Sequence, residues 1–600
     1  MEYDDGFLSE RYHSPQATGI VPSWLPTVLL MIFIIVLSTR AWTGFRASLR
    51  KDERLAPKAP HWVPGFGHAL EFALFNGSFL RNLRHYHPQG AFEIQLFGRK
   101  HVIAYSTPII EGVVLRDDDA VRSNYLSSLI RRNIFKMSPK LAAKKSEDAG
   151  ESFESVMQAL QRSDEIANVM SKAFERTLPD LVSFMPTLID QHPWERLTTV
   201  TPFEGSPPTV ETSLYPLIQS YLTHITATAL LGAEFLENNP SLPADLHTMA
   251  AALPLLLTGL PRWIPLPRLT TAHIARHRLL TSLDTFHVAL ANHLSETPQA
   301  PNSGYRDLSD TSSYITTLTT TLLKEDSASV QDLASTTLQI LLVLTTRLSL
   351  LSFWLLMHIL SSASSASTPL SPTSTPSLLK TILTETPPHA RASQPKTSFA
   401  IAPPPRLALD LPALSDNCPT LKSGLIECVR LYSRSWEARE VLHPFAVLTG
   451  DPEAKTMVLR KGEVVAVSHW LAHTDPGVWG EGKEGAAVWR CERHVKSKAL
   501  PSKTSGKDKS TSEKSSSPKQ KAEWTTVMFG GDEDDDPGLL ALVEQTSAAF
   551  VAGFLALWEV APAKGGKWRV PRAREGGFGV VALPVGEVGV TVRRRELGGD

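Results

Sequence analysis

Cysteine is scarce in this chain of 600 residues: only Cys418, Cys428 and Cys491 are present. They show no C-x-x-C spacing, which argues against a structural zinc site, and three are too few for a disulfide scaffold. Such usage fits a reducing compartment. An excess of either charge is lacking too. Sixty Lys and Arg stand against 61 Asp and Glu, a formal net charge of −1. Nothing in that balance points to nucleic acid as a partner. No internal repeat recurs. One early stretch lacks charge altogether: Tyr12 to Thr39 contains no Asp, Glu, Lys or Arg.

What fills that stretch is apolar. Val28 to Leu37 is an unbroken hydrophobic run, and with Ile20 to Trp24 ahead of it the segment reaches spanning length. The residues before it are mostly acidic (Glu2, Asp4, Asp5 and Glu10 against Arg11), and no A-x-A-like site follows, unlike a cleaved signal peptide. Arg40, Arg46, Arg50, Lys51, Arg54 and Lys58 come next, an asymmetry that puts the C-terminal bulk on the cytoplasmic side. The organisation expected is a non-cytoplasmic tail (1–19), a transmembrane anchor (20–39), a basic, proline-rich hinge (40–64) and one large body (65–600). The competing reading of the apolar run is a buried core helix.

In the body, Pro57, Pro60 and Pro64 keep residues 55–72 out of a helix. Residues 91–106 hold two β-rich runs split by Gly98, which predicts a hairpin. Residues 213–235 and 273–295 carry helical apolar spacing. Leu333 to Leu360 is long and apolar enough to resemble a second span, but Thr345, Thr346, Arg347 and His358 mark it as a central buried helix. Pro419 to Trp436 is helical in pattern. Residues 459–470 alternate like a strand pair turning at Lys461-Gly462, and Ala549 to Glu559 reads as a last apolar helix before short Gly-rich strands. Residues 361–377 (Ser, Thr, Ala, Pro) and 496–521 (Lys, Ser) are too poor in apolar side chains to offset their ordering entropy and are expected to be disordered insertions.

Several motifs fall in one order. Pro60 to Phe72 reads PHWVPGFGHALEF. Glu427-Cys428-Val429-Arg430 is an E-x-x-R helix. LYSRSWEARE and KGEVVAVSHWLAHTDPGVWG follow it, and then VWRCERHV at 488–495. Together they resemble the cytochrome P-450 superfamily, with VWRCERHV similar to its P-E-R-F motif and Cys491 in place of proline. Phe353-Trp354 and the tail from Ala556 to Val588 look most like the sterol 7α-hydroxylase and prostacyclin synthase branch and its fungal relatives. The resemblance implies a mainly α fold: the P-450 fold with small β-sheets, preceded by one N-terminal transmembrane helix. It also implies that Glu427, Arg430 and Arg493 form a buried ionic cluster, that haem is the cofactor, and that the partners are a membrane, a lipophilic substrate and, if haem is bound, a P-450 reductase.

The haem loop departs from that pattern. The family reads F-G-G-G-x-x-x-C-P-G-R; this chain reads Phe529-Gly530-Gly531-Asp532-Glu533-Asp534-Asp535-Asp536-Pro537-Gly538-Leu539. By resemblance Phe529, Gly530, Gly531, Pro537 and Gly538 are the cofactor-binding residues, and Asp536 stands at the position of the axial iron ligand. A thiolate pushes electron density onto haem iron and favours O–O cleavage; a carboxylate is a harder, weaker donor. Four further acids at 532–535 repel the haem propionates. In the central helix Thr345 and Thr346 match the family's oxygen-protonating threonine, yet Leu344 occupies the place of the acid before it; if Phe353-Trp354 sets the register instead, Arg347 takes the place of the branch's asparagine. The W-x-x-x-R spacings at Trp42, Trp489 and Trp568 are not of the kind that holds a haem propionate in the family; Arg131 and Arg132 are the stand-ins. Three functions remain open at this point: an oxidative enzyme needing haem and reductase, a non-redox cyclase or isomerase on the same scaffold, and a non-catalytic protein that binds a ligand or partner at the membrane.

Overall fold

A computed structural model describes residues 24–49, 54–96, 98–114, 119–122, 125–142, 164–198, 200–203, 207–294, 304–324, 329–365, 377–395, 404–449, 456–479, 485–495, 537–574 and 580–597. Helix dominates. Nine described helices run twelve residues or more: α1 (Leu25–Ser48), α2 (Ala69–Tyr86), α3 (Asp164–Thr177), α4 (Leu214–Leu231), α5 (Pro267–Leu294), α6 (Ser313–Lys324), α7 (Val330–Ser365), α8 (Pro419–Tyr432) and α9 (Pro537–Leu557). The strands are short: β1 (Ala91–Leu96), β2 (Arg99–Ala104), β3 (Val121–Arg122), β4 (Thr201–Phe203), β5 (Thr209–Ser213), β6 (Ala390–Ser393), β7 (Arg406–Leu409), β8 (Trp436–Val441), β9 (Phe445–Leu448), β10 (Thr456–Leu459), β11 (Val464–Ser468), β12 (Trp558–Pro562) and β13 (Gly589–Arg594). They form a five-stranded sheet ordered β1-β2-β11-β8-β3, a four-stranded sheet ordered β12-β13-β5-β4, and two hairpin-sized pairs, β9 with β10 and β6 with β7.

α7 is the axis of the body. Its apolar residues point all round, which suits a helix surrounded by protein, and α4, α5, α8 and α9 pack against it. Leu344, Leu348, Phe353 and Trp354 have no exposed surface. By length and composition both α1 and Val330–Ser362 are able to cross a membrane, but 78% of the second window is buried against 6% of the first. The reading of residues 333–360 as a core helix therefore holds, and α1 is the apolar helix left mostly exposed.

Several boundaries differ from expectation. The N-terminal apolar helix expected as the anchor starts at Leu25 and runs on to Ser48, past the predicted end at 39, because nothing at Arg40 stops a helix; the segment expected as a hinge begins as helix. The proline-rich part beyond it is docked. The amide of Ala59 donates to the Glu93 carbonyl (2.9 Å) and that of Glu93 to the Pro57 carbonyl (2.7 Å), laying the segment along β1. Arg40 donates to the Pro60 carbonyl, and Thr43 Oγ1 accepts from the His61 amide at 3.2 Å, so α1 is tied to the same segment. The hairpin around Gly98 is present, with Ala91 opposite Ala104 and φ +81° at the glycine. The turn at Lys461-Gly462 is real as well, but its flanking strands do not pair. β10 joins β9, while β11 lies parallel to β2 and antiparallel to β8. All five residues of β11 are buried, as befits a central strand covered on both faces. α7 continues through Ser361 to Ser365, five residues into the segment expected to be disordered, and the last helix is longer at its start than Ala549 and gives way to β12 at Trp558. Residues 366–376 and 496–521 lie outside the described residues.

Candidate functional site

α8 carries the first half of the ionic cluster. Pro419 opens it, since a missing N–H costs nothing in the first turn. The Glu385 carboxylate then accepts from the Thr420 (2.9 Å) and Leu421 (3.3 Å) amides, placing an anion on the helix N-terminus. Glu427 and Arg430 follow at i, i+3 on one face, and neither has exposed side-chain surface. Arg430 grips Glu427 with two bonds, Nε to Oε2 at 2.8 Å and Nη2 to Oε1 at 2.7 Å. Its remaining Nη1 donates to the carbonyls of His473 (2.5 Å) and Ala486 (2.8 Å), and its plane lies 5.0 Å from the Trp479 ring.

The second half comes from a 3-10 turn, Cys491–His494. Arg493 Nε sits 3.0 Å from Glu427 Oε1 as an ion pair, and its outer nitrogens donate to the Trp479 and Gly485 carbonyls. The expected grouping of Glu427, Arg430 and Arg493 is thus what the fold assembles. Two members were not anticipated. His494 Nε2 lies 3.1 Å from Glu427 Oε2, and the Arg490 amide donates to Glu427 Oε1 at 3.1 Å. His494 directly follows Arg493, so its neighbourhood was legible; which way its ring turns was not. Burial alone pushes the Glu427 carboxyl up, but the bonds from Arg430 and His494 and the Arg430 charge win and hold it below its usual range.

A stack of rings locks α7 onto this cluster. Trp354 lies 4.0 Å from Tyr432, and His358 lies 4.4 Å from Trp489, both pairs nearly parallel. His358 Nε2 meets the Tyr432 hydroxyl at 2.8 Å, and Trp354 Nε1 donates to the Ala582 carbonyl at 2.9 Å. Burial drives the His358 imidazole down to about 3, so it is neutral at physiological pH. Phe353-Trp354 is accordingly core.

The oxygen-relay candidates fare differently. Thr345 is buried, and its hydroxyl is spent inside its own helix on the Leu341 carbonyl at 2.6 Å; Ser349 Oγ donates to the Thr345 carbonyl at 2.7 Å. Thr346 and Arg347 are half-buried on the same turn. Arg131 is 8% exposed at the end of a short helix (Tyr125–Asn133), and Arg132 beside it is exposed. Pro537 and Gly538 are the first two residues of α9. Phe529, Gly530, Gly531 and Asp532 to Asp536 lie outside the described residues.

All three cysteines are described, and none is a free thiolate. Cys491 Sγ donates to the Thr420 carbonyl at 3.2 Å and Cys418 Sγ to the Glu385 carbonyl at 3.7 Å. Burial raises each thiol: Cys418 to about 11, Cys491 to about 12, and Cys428 well above the usual thiol value. Among the described residues no group of three His, Cys, Asp or Glu is arranged to hold a metal ion. No protein-family model matches this chain, and no curated protein matches it.

Proposed function

We propose that this chain is a cytochrome P-450-family protein, anchored in the endoplasmic reticulum membrane by a single span with its body cytoplasmic, and that it takes a lipophilic small molecule such as a sterol or terpenoid. The observation that carries the reading is Glu427 clamped between Arg430, three residues away, and Arg493, in the order and spacing the family resemblance implies. The apolar α1 and the fully enclosed α7 support it.

The chain's own residues do not fit a haem held by thiolate. Each of its three sulfurs is buried against a carbonyl or a neighbouring ring elsewhere in the fold and kept protonated, and the position of the ligand is Asp536. No thiolate-driven oxygen step is therefore part of the proposal. The Thr345 hydroxyl, occupied within its own helix, favours the reading in which a shaped apolar pocket holds a reactive conformer and promotes cyclisation or isomerisation without redox chemistry.

The test is a reduced, carbon-monoxide-bound absorption spectrum of the purified full-length protein, with haem quantified alongside. The expected result is no band of the thiolate-adduct type. That band, if present, returns the protein to conventional monooxygenase chemistry with a reductase partner. Absence of haem together with turnover of a lipophilic substrate without reductase supports the non-redox reading; absence of both turnover and haem leaves a ligand- or partner-binding protein.

A further inference from the structure

Arg276, in the third turn of α5, is 6% exposed and has no carboxylate partner among the described residues. Its guanidinium rests on neutral acceptors: Nη1 donates to the carbonyls of Asn133 (2.8 Å) and Ile134 (3.3 Å), and Nη2 meets His273 Nδ1 at 2.7 Å. More positive charge lies around it. Burial first, then Arg276 and Arg132, push the Lys136 ammonium below its ordinary value. Burial, then Arg276, Lys136 and Arg262, do the same to the His273 imidazole. Among the described residues no acid pairs with Arg132, Lys136, Arg262 or Arg276, whereas Arg278, two residues further along α5, has Asp245 as its counterion. A guanidinium withdrawn from water without a counter-charge is costly, so a cluster of four cations with none asks for an anion.

The surroundings are fixed and partly apolar. Asn133 Nδ2 donates to the Leu257 carbonyl at 2.8 Å, and His273 Nε2 meets the Leu260 carbonyl at 3.1 Å; both bonds hold the 257–260 turn against the cations. Gly259 in that turn has φ +71°, and an added Cβ there would lie 3.2 Å from Asn133 Nδ2. Trp263, next to Arg262, is 81% exposed. The short helix Leu253–Leu257 ahead of the turn packs on α2 and on Tyr125–Asn133, and α2 follows directly on the segment that holds α1.

We infer that Arg276, Lys136, Arg132 and Arg262 bind the anionic head, carboxylate or phosphate, of an amphiphile whose apolar chain lies beside Trp263. The inference rests on the lipophilic-ligand reading above and narrows it to an acid. Two sources share that chemistry, a free fatty-acid-like ligand and an acidic membrane lipid.

The test uses the full-length protein in nanodiscs of phosphatidylcholine, with palmitic acid and its methyl ester as probes. Arg132→Gln and Lys136→Asn are combined in one variant, because both side chains are exposed and asparagine tolerates the left-handed φ of +62° at Lys136. Arg276→Gln is the second variant, read only if it stays folded. The acid should bind about tenfold tighter than the ester, and the double variant should remove that preference while leaving ester binding unchanged. Phosphatidylserine in the disc distinguishes the sources. If it competes with palmitate in the wild type and not in the variant, the acidic lipid is a natural occupant; if it does not compete, the free acid is. Equal binding of acid and ester by the wild type, unchanged by phosphatidylserine or by the variant, overturns the anion site and leaves the lipophilic reading standing. Binding of neither probe, with phosphatidylserine also without effect, overturns both.

Discussion

Glu427 shows how much one side chain decides. It is a fully buried carboxylate met by Arg430, Arg493, His494 and the Arg490 amide. Removing its charge strands the buried Arg430 guanidinium, and breaking a buried pair from one side costs about 3–5 kcal/mol. Glu427→Gln should lower the urea midpoint by a corresponding amount; an unchanged midpoint would show that the cluster adds nothing to folding. His287 makes a pH prediction. It is buried between the Thr319 hydroxyl (3.1 Å from Nδ1) and the Thr337 hydroxyl (2.8 Å from Nε2), and burial drives it from 6.5 to about 4. The unfolded chain takes up this proton near 6.5 and the folded chain does not until about 4. Stability from His287 is therefore complete above pH 6.5, falls as the pH drops from 6.5 to 4, and falls no further below that. The slope from one such group is at most about 1.4 kcal/mol per pH unit. His287→Gln should flatten the stability curve in that window, measured as midpoint against pH; parallel curves for the two proteins would refute it. Both Glu427 and Arg493 were legible in the sequence through motif spacing. His287 was not, because a lone histidine in a helical pattern does not announce which hydroxyls will surround it.

Among the elements, the docked proline-rich segment depends on Gly67. Its φ is +63°, and a Cβ there would fall 2.2 Å from the Gln95 carbonyl oxygen. The neighbouring His68 uses its own amide on that carbonyl (2.7 Å) and accepts from the Gln95 amide at Nδ1 (3.1 Å), so the close approach is what brings the segment onto β1. Gly67→Ala should destabilise by about 1–3 kcal/mol and open residues 55–66 to limited proteolysis; a cleavage pattern identical to wild type would count against this account. The hairpin around Gly98 was readable because a two-residue period and a turn residue are local signals. The divergence of β10 and β11 was not, because alternation marks a strand without naming its partner. The apolar run Val464 to Val467, inside a stretch that otherwise alternates, is the trace the sequence did leave of the buried central strand.

At the scale of the molecule, α1 and α7 are near equals in hydropathy, 1.9 and 2.0, and opposite in burial. Of these two described helices, α1 is the one left exposed. Deleting residues 1–49 should make the protein extractable from membranes by alkaline carbonate while the full chain stays in the pellet; a truncated protein that still resists extraction would move the anchor elsewhere. The sequence by itself determined the helical character, the apolar N-terminal helix, and the separation of Glu427, Arg430 and Arg493 along the chain, since periodicity, run length and spacing are properties of neighbours. The tertiary structure alone decided that Thr345 spends its hydroxyl on the Leu341 carbonyl. It alone seals all three thiols and gathers Arg132, Lys136, Arg262 and Arg276 from two distant segments with no acid paired to them among the described residues. Burial and long-range charge depend on what the chain folds against, and that is set by the packing of elements far apart in sequence.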